Sequence, residues 1–503
     1  MAARRLPDSA YNWVTAAGAF LAGITFSVIL ILLLLDLLVV ETSIYLGLLT
    51  YVALPVLLIA GLLIIPLGMG LESKRLARGQ ASSFPRHFHV DLVDPGHRNA
   101  FLIFVVGSAI LLVATSIGTY KAYQQTESVA FCGQLCHSVM SPEYTAYRAS
   151  PHARVACVEC HIGSGADWYA KSKLSGAYQV YATLANVYPR PIPTPIEDLR
   201  PARETCEECH WPTKFFGSHQ RVNPHFLPDE ANTPYPISLL VKVGGGSGRG
   251  RQAEGIHWHV SEDTRVEYIA RDPARLQIAW VRLTGPEGRT VEYALPTDPL
   301  TDAERAAAQV RTMDCMDCHN RPSHQYRSPN RTVNEAMAQG LLDPSLPFIK
   351  AQAVQALDQP YADTPAALRA IEEKITAFFR QEYPGLLPAR SQDVARAVAA
   401  VQGIYRQNSF PEMKVTWRQY PDHVGHTEFV GCFRCHGSAL ESTDGQTISR
   451  DCSLCHLILR QGTGEQRQRL SPAGLLFQHP EDVGDVVGEG HCTDCHEGGA
   501  ETL

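Results

Sequence analysis

Three long apolar stretches dominate the first 120 residues of the chain. They run from Val14 to Val40, from Tyr45 to Leu71 and from Ala100 to Tyr120. Each is long enough to cross a hydrocarbon core of about 30 Å as a helix. A secretory signal peptide has an apolar core of only about 7–15 residues followed by a small-residue cleavage site, which the first stretch does not fit. The pattern therefore predicts three retained transmembrane helices.

The basic residues around these stretches predict their orientation. Arg4 and Arg5 precede the first stretch, and the connection at residues 41–43 has no Lys or Arg. The loop at residues 73–99 carries five Lys or Arg residues. By the positive-inside rule, the N-terminus and this loop lie in the cytoplasm and the chain after Tyr120 lies outside.

Beyond residue 225 the hydrophobic pattern changes to short runs rich in β-branched and aromatic residues, separated by Gly, Pro and Asp. These runs predict a small antiparallel sheet. They cover residues 237–243, 255–260, 266–270, 276–283 and 290–294. In a strand over 255–260, His257 and His259 would face the same side, because strand side chains repeat every two residues.

A helical pattern follows after residue 301. Apolar residues recur at spacings of three and four over residues 351–357, 365–383 and 391–405. Prolines separate these segments, which is typical of helix boundaries. This stretch contains no cysteine after His319 until residue 432, so we expect a packing or docking element.

Composition adds two limits. A length of 503 residues allows two to four domains. A net charge of only -7 indicates no nucleic-acid or polyanionic partner.

The cysteines carry the strongest chemical signal. All 14 cysteines fall in seven pairs, each followed directly by a histidine. The first pair, Cys132 and Cys136 before His137, has one residue more than the C-x-x-C-H form. The six regular sites are Cys157/Cys160/His161, Cys206/Cys209/His210, Cys315/Cys318/His319, Cys432/Cys435/His436, Cys452/Cys455/His456 and Cys492/Cys495/His496.

Such a motif attaches haem through two thioethers and places the histidine to ligate the iron. Disulfides do not require a histidine after the second cysteine. A zinc ribbon also leaves that position free, and a thioredoxin-like C-x-x-C is usually single. The pattern therefore predicts seven covalently bound haem c groups, which bacteria attach on the outer side of the membrane.

Bis-histidine ligation requires one further histidine for each haem. Ten histidines remain after removal of the motif histidines and of His87, His89 and His97 in the cytoplasmic loop. The remaining ten are His152, His219, His225, His257, His259, His324, His423, His426, His479 and His491. The distal ligands predicted among them are His152, His257, His259, His324, His426 and His479. This supply favours low-potential electron-transfer haems over open catalytic ones.

The span from the third apolar stretch to about His225 resembles the NapC/NirT family of membrane-anchored multihaem cytochromes. The resemblance is carried by the irregular first haem site with Met140 nearby, the Ser150–His152 segment, the CVECH motif and the lysine-containing WYAKSKLSGAYQV after it. It implies an anchor in the bacterial inner membrane. This anchor would take electrons from menaquinol or ubiquinol and pass them to a periplasmic redox protein or reductase.

The resemblance also implies roles for individual residues. Met140 becomes an alternative to His137 as axial ligand of the first haem, although it follows that histidine by three residues rather than two. Lys171, Lys173 and Asp167 become candidates for a quinol site, where a carboxylate or lysine accepts protons. The competing interpretation of the lysines is a solvated surface helix. Independently, only 12 residues separate Tyr120 from Cys132, so we expect the first haem close to the outer membrane interface.

The expected fold is mainly α with irregular haem-packed regions, three N-terminal transmembrane helices and a small inserted antiparallel β-sheet. The expected divisions are two transmembrane helices (1–72), a cytoplasmic loop (73–99), a third transmembrane helix (100–120), a NapC/NirT-like three-haem domain (121–225), a β-rich insertion (226–300), the fourth haem site with a helical insertion (301–430) and a C-terminal three-haem segment (431–503).

The expected activity is that of a quinol dehydrogenase or electron-transfer cytochrome. Three alternatives stay open. One is an electron-wire subunit of a larger respiratory complex, with integral-membrane cytochrome b-type subunits as partners and without a quinol site of its own. Another is a terminal multihaem reductase, in which one haem keeps an open face. The third is a structural or electron-storage module.

Overall fold

The protein is known as a computed structural model, in which two compact units, residues 1–135 and 136–503, are each described by themselves. The described residues are 7–38, 50, 54–80, 93, 95–135, 137–163, 166–194, 200–211, 214–215, 217–244, 255–437, 439–484, 490–496 and 498–499.

Among its described residues the first unit has three long helices: α1 (Trp13–Leu38), α2 (Leu54–Ala77) and α3 (Pro95–Thr126). Helices α1 and α2 pack through small residues. A Cβ added at Gly61 would lie 2.8 Å from the backbone nitrogen of Ala22. The Asn12 side chain donates a hydrogen bond to the carbonyl of Gly68 at 3.2 Å. Close backbone approach through glycine, supported by polar contacts, is the packing mode of helices in lipid.

Two helical segments, not three, have the length and composition of a membrane span within the described residues. They are Trp13–Leu33 and Leu54–Ala77. The third predicted span, Ala100–Tyr120, lies inside α3, whose side chains are described only in part. Most of residues 45–53, where the second span was predicted to begin, lie outside the described residues.

About a third of the second unit lies in α-helices. Its helices are α4 (His137–Arg148), α5 (Cys157–His161), α6 (Ala166–Leu184), α7 (Ala202–Cys206), α8 (Asp302–Ala307), α9 (Cys315–Cys318), α10 (Pro329–Ala338), α11 (Ile349–Leu357), α12 (Thr364–Glu382), α13 (Leu387–Asn408) and α14 (Phe433–His436). Helices α11, α12 and α13 match the three helical segments predicted after residue 301, each within a few residues.

The main apolar core lies among α10 to α13. On α12, every fourth residue is fully buried: Ala367, Ile371, Ile375 and Phe379. This spacing places them on one helix face. Asp363 caps the helix, because its carboxylate accepts the Ala366 N–H at 2.7 Å. The helical insertion therefore folds around its own core and holds no haem motif.

Two antiparallel sheets complete the second unit. The strands are β1 (Ser218–Asn223), β2 (Ile237–Lys242), β3 (Arg265–Ala270), β4 (Ile278–Thr284), β5 (Thr290–Ala294), β6 (Arg311–Thr312), β7 (Glu441–Ser442) and β8 (His456–Arg460). Their orders are β1-β2-β8 and β6-β3-β4-β5-β7. Strands β7 and β8 come from the C-terminal segment, so the sheets join the β-rich insertion to the last haem motifs.

One predicted strand is wrong. Residues Ile256–Val260 form a 3₁₀ helix rather than a strand. Gly255 precedes it with φ 82° and ψ -169°, a conformation open to glycine, and a Cβ there would lie 2.4 Å from the Lys242 carbonyl oxygen. The argument that His257 and His259 share one face of a strand therefore fails.

Candidate haem-binding sites

Each regular C-x-x-C-H motif lies on a short helical turn. The motifs at Cys157, Cys315 and Cys432 lie along α5, α9 and α14, and the motif at Cys206 begins where α7 ends. The last two motifs lie on 3₁₀ turns at Cys452–Leu454 and Cys492–Asp494. In four motifs the backbone N–H of the histidine donates to the carbonyl of the first cysteine. These bonds are 2.8 Å at His210, His319 and His496 and 3.1 Å at His436. One turn of helix thus brings the two thiols and the imidazole of a motif together.

The thirteen described cysteines form no disulfide with one another. Among the described residues there is also no group of three or more His, Cys, Asp or Glu side chains that could hold a metal ion. A haem iron needs only two protein ligands, since the porphyrin supplies four. The donor set therefore fits haem better than a zinc ribbon.

Every regular motif histidine lies beside one of the six histidines predicted as distal ligands. The ring centroids are 6.1 Å apart for His161 and His324, 6.0 Å for His210 and His152, 6.4 Å for His319 and His257, 5.8 Å for His436 and His259, 6.1 Å for His456 and His426, and 5.8 Å for His496 and His479.

This spacing fits one metal ion between each pair of rings. An imidazole nitrogen binds a transition metal at about 2 Å, and the ring centre lies about 1 Å behind it, so two axial imidazoles place their centroids roughly 6 Å apart. Rings packed directly against each other need no such gap. The six separations, all between 5.8 and 6.4 Å, have the value that bis-histidine ligation requires.

Five of the six predicted distal histidines have Nδ1 within hydrogen-bond distance of a backbone carbonyl; that of His479 lies 3.0 Å from Glu481 O and also 3.3 Å from the Glu481 N–H, and the other four have a carbonyl as follows. The ring Nδ1 lies within hydrogen-bond distance of Pro322 O for His152 (3.4 Å), Val243 O for His257 (3.0 Å), Ile256 O for His259 (2.8 Å) and Glu143 O for His324 (2.9 Å). A carbonyl only accepts, so Nδ1 carries the proton. The lone pair of Nε2 is then left for a metal, as in most histidine–metal sites.

Burial keeps several of these imidazoles neutral. It lowers the pKa of His324 to about 4, and it lowers the pKa of His257 and His259 as well. Only the neutral ring can bind a metal. At pH 7 these side chains are therefore ready to act as ligands.

Consecutive motifs are neighbours in space. Burial raises the pKa of many of the motif thiols, and a thiol of an adjacent motif raises it further. For Cys206 the larger cause is a hydrogen bond with Cys315. The neighbours in chain order are Cys160 with Cys209, Cys206 with Cys315, Cys318 with Cys432, Cys455 with Cys432, and Cys492 with Cys452. The six motifs thus form a series that follows the sequence.

The irregular first site is described only in part. Cys136 and the side chain of His137 lie outside the described residues. Met140 is half-buried on α4.

The predicted quinol residues lie at the start of α6. The side chain of Asp167 is outside the described part. Lys171 is exposed, with its Nζ 4.7 Å from the ring centroid of Trp168, and Lys173 is half-buried. The contact of Lys171 with Trp168 is a cation–π interaction.

His423 is a spare histidine with a structural role. It is buried, and its two ring nitrogens each lie 3.1 Å from a carbonyl, those of Asp317 and Ala274. It pairs with no motif histidine in the described structure. Burial is the chief cause that lowers its pKa to about 4, so the ring is neutral and carries one N–H. Nε2 donates to Ala274 O in the β3–β4 connection, and Nδ1 accepts from Nη1 of Arg434 on α14 at 3.1 Å.

Asp317 was not predicted as an important residue; it lies between Cys315 and Cys318 in the motif on α9. Its carboxylate is fully buried and bonds to Tyr268 at 2.5 Å, Arg311 at 2.6 Å and Arg275 at 3.0 Å. Two arginines compensate the burial of one carboxylate. The ion pairs and hydrogen bond of Asp317 anchor α9 to the five-stranded sheet. A charged residue between the two cysteines was the single indication of this role in the sequence.

Comparison with known proteins agrees with the motifs. Residues 95–191 match the NapC/NirT cytochrome c family, N-terminal region. The chain is 42% identical over 503 residues to the cytochrome c-type protein ImcH of Geobacter sulfurreducens, across 100% of this chain and 98% of that protein. It is 29% identical over 118 residues to the cytochrome c-type protein NrfH of Wolinella succinogenes, across 21% of this chain and 66% of that one. No solved structure matches.

Similarity along the full length, together with the apolar helices of the first unit, supports one family assignment. Membership implies covalently bound haem c and is consistent with quinol-linked electron transfer. The chain belongs to the NapC/NirT family and is a membrane-anchored multihaem cytochrome c.

Proposed function

We propose that this protein takes electrons from the quinol pool and delivers them to a periplasmic acceptor, with seven haem c groups bound along the chain. The observation that carries the proposal is the set of six histidine pairs with centroids 5.8 to 6.4 Å apart. Each pair would fill both axial positions of one iron. Filled positions favour electron transfer over a terminal reductase, which needs an open one.

The proposed attachment residues are the seven cysteine pairs, beginning with Cys132 and Cys136. The proposed axial pairs are His161–His324, His210–His152, His319–His257, His436–His259, His456–His426 and His496–His479. For the first haem, positions 137 and 140 are less than one helical turn apart on α4. One haem cannot take both on opposite faces, so either His137 or Met140 would ligate it and the other face would be left towards quinol.

Bound haem supplies reversible one-electron chemistry; the protein sets ligands, spacing and burial. The chain's residues orient the imidazoles through backbone carbonyls, such as Glu143 O for His324. Because adjacent motifs follow the sequence, the proposed direction runs from the site at Cys132 towards the one at Cys492.

The proposed topology has a cytoplasmic N-terminus and a periplasmic haem-binding unit in the bacterial inner membrane. It is supported by the basic residues before α1 and at the end of α2, where Lys74 and Arg75 lie. It requires the apolar stretch in α3 to bring the chain to the outer side, where haem c is attached. Fusion of reporters after residue 80 and after residue 503 would test it: an outer location of the first or an inner location of the second would contradict it.

The proposed quinol site comprises Lys171, Lys173 and Asp167. Quinol oxidation releases protons as well as electrons, and these side chains are of the types that accept them. Menaquinol and ubiquinol are both candidate donors. The exposure of Lys171 on α6 gives a ligand access to it.

Stopped-flow reduction of the detergent-extracted chain by a menaquinol analogue, followed at the haem α-band, tests this function. We expect fast reduction that falls at least about tenfold when Lys171, Lys173 and Asp167 are replaced by Gln, Gln and Asn. Lys374→Gln on α12 is the matched control and should leave the rate unchanged. No reduction, in a sample that dithionite reduces fully, would instead indicate a wire subunit that receives electrons from a partner.

A further inference from the structure

The charge of the protein is concentrated around its last haem motif. Residues 470–503 contain seven acidic residues and no Lys or Arg. The whole chain has 51 acidic and 44 basic residues, so the preceding 469 residues hold 44 of each and are neutral. The entire net charge of -7 therefore lies in the final 34 residues.

Exposed apolar side chains lie in the same segment. Leu476 is 90% exposed and Phe477 40% exposed, and Val483 is exposed on the other side of His479. Leu476 and Phe477 are adjacent in the sequence, and Phe477 and Val483 line one cleft. Apolar side chains that lie together with polar residues around them mark interaction sites. Two exposed carboxylates, Glu481 and Asp482, lie between Phe477 and Val483 in the sequence.

The backbone that carries these side chains is held in place. The Tyr235 hydroxyl donates to the carbonyl of Gln478 at 2.6 Å. The Gln461 amide donates to the carbonyl of Leu476 at 2.5 Å and accepts the N–H of Gln478 at 3.2 Å. A cleft of about 640 Å³ lined by residues 477–484 opens beside it. A rigid apolar centre with a charged rim is the anatomy of a transient protein interface.

These exposed residues lie on both sides of His479 in the sequence. The ring of His479 lies 5.8 Å from that of His496 in the last motif, where electrons would leave the proposed series of haems. That motif is the last of the series in which neighbours follow the sequence, and its Cys492 neighbours Cys452 of the preceding one. A partner seated on Leu476 and Phe477 would contact the chain beside the last proposed haem.

We propose that the surface formed by Leu476, Phe477, Glu481, Asp482 and Val483 is the electron-exit docking site, and that its partner is a soluble redox protein with a lysine-rich face. This inference rests on the proposed function, because it requires a haem at Cys492 and Cys495. The acidic segment would steer a cationic partner, and the apolar centre would hold it briefly. Opposite charges raise association rates by about 10- to 1,000-fold at low salt.

The test uses the full chain in detergent, reduced by dithionite, so electron entry from quinol is not involved. Mitochondrial cytochrome c is the lysine-rich probe, and the same cytochrome with acetylated lysines is its control. We expect the bimolecular rate to fall at least about tenfold from low salt to about 0.3 M salt, where the Debye length is only several Å. The acetylated probe should react at least about tenfold more slowly at low salt.

Variants locate the effect on the surface. Glu481→Gln with Asp482→Asn should slow the reaction about threefold or more at low salt and leave it unchanged at high salt. Glu372→Gln with Glu373→Gln, on the exposed face of α12, is the matched control and should have no effect. Carbodiimide cross-linking, which joins carboxylates to lysines, should link Glu481 or Asp482 to the probe and gives a readout independent of electron transfer.

Equal rates with native and acetylated probe, or cross-links confined to other carboxylates, would overturn the docking site. A chain whose Cys492–Cys495 peptide lacks the mass of haem would instead overturn the proposed haem at that motif. The two failures are therefore distinguishable.

Discussion

Replacing His324 by alanine should convert one haem, and only one, from low spin to high spin. The His324 ring lies 6.1 Å from that of His161, and its Nδ1 donates to the Glu143 carbonyl at 2.9 Å. Removing the imidazole leaves the iron at the Cys157–Cys160 motif with one strong axial ligand. With seven motifs in the chain, about one-seventh of the ferric intensity should move to the high-spin signal.

Electron paramagnetic resonance of the oxidised protein measures this change directly. Added imidazole should restore the low-spin signal, since it can occupy the space that the side chain leaves. The matched control is His423→Gln, which replaces a buried histidine that pairs with no motif histidine among the described residues. It should cost about 1–3 kcal/mol of unfolding free energy through lost hydrogen bonds, without a new high-spin signal.

Two results would contradict the assignment of the six histidine pairs as axial ligands. If His324→Ala produced no high-spin haem, the 6.1 Å spacing would not reflect a shared iron. If His423→Gln produced one, a histidine outside the six pairs would be a ligand. Either result would remove the geometric basis of the axial assignments.

Three further predictions concern the anchor, the helical core and acid stability. Gly61→Leu should separate α1 from α2, because a Cβ at Gly61 lies 2.8 Å from the backbone nitrogen of Ala22, and it should lower the yield of membrane-inserted protein in a fractionation assay. Gly23→Leu, where a Cβ would have no atom within 4 Å, is the control and should leave that yield unchanged. Phe379→Ala should lower the unfolding free energy of the helical insertion by about 3–5 kcal/mol in urea titrations followed by circular dichroism, and a changed haem spectrum before unfolding would contradict its separation from the haem sites. His423 has a pKa lowered to about 4 against about 6.5 when unfolded, so the stability it contributes is present above pH 6.5 and is lost as pH falls towards 4. Melting temperatures of His423→Gln should therefore fall less between pH 7 and pH 4.5 than those of the unaltered protein, and equal slopes would count against this role.

Periodicity predicted the elements that local sequence determines. The helices at 349–357, 364–382 and 387–408 follow apolar spacing, and the strands at 237–242, 265–270, 278–284 and 290–294 follow β-branched runs bounded by turn residues. The same logic failed at 255–260. There the alternation of Ile256, Trp258 and Val260 resembles a strand, but the backbone folds into a 3₁₀ helix against Val243 and sends its two histidines to different motifs.

The candidate site shows a similar division. Counting histidines left ten candidates, and the choice of six of them as distal ligands stays a prediction; each of the six lies beside a motif ring in the structure. Which distal histidine lies beside which motif histidine was not predictable, because the pairs join residues distant in the sequence. His324 lies beside His161, which is 163 positions earlier, whereas His152 precedes its partner His210. Contacts between distant segments hold such residues in place, for example His324 Nδ1 with the Glu143 carbonyl and, at His456, the pairing of β2 with β8. Neither contact leaves a mark in the local sequence pattern.

The most direct test of the account is near-infrared magnetic circular dichroism of the oxidised full chain, combined with an iron determination. This spectroscopy distinguishes bis-histidine from histidine–methionine and open haems and counts each kind. We expect seven irons per chain, six of them with two imidazole ligands. Fewer than six bis-histidine haems would contradict the assignment of the six ring pairs as axial ligands and, with it, the proposed path for electrons.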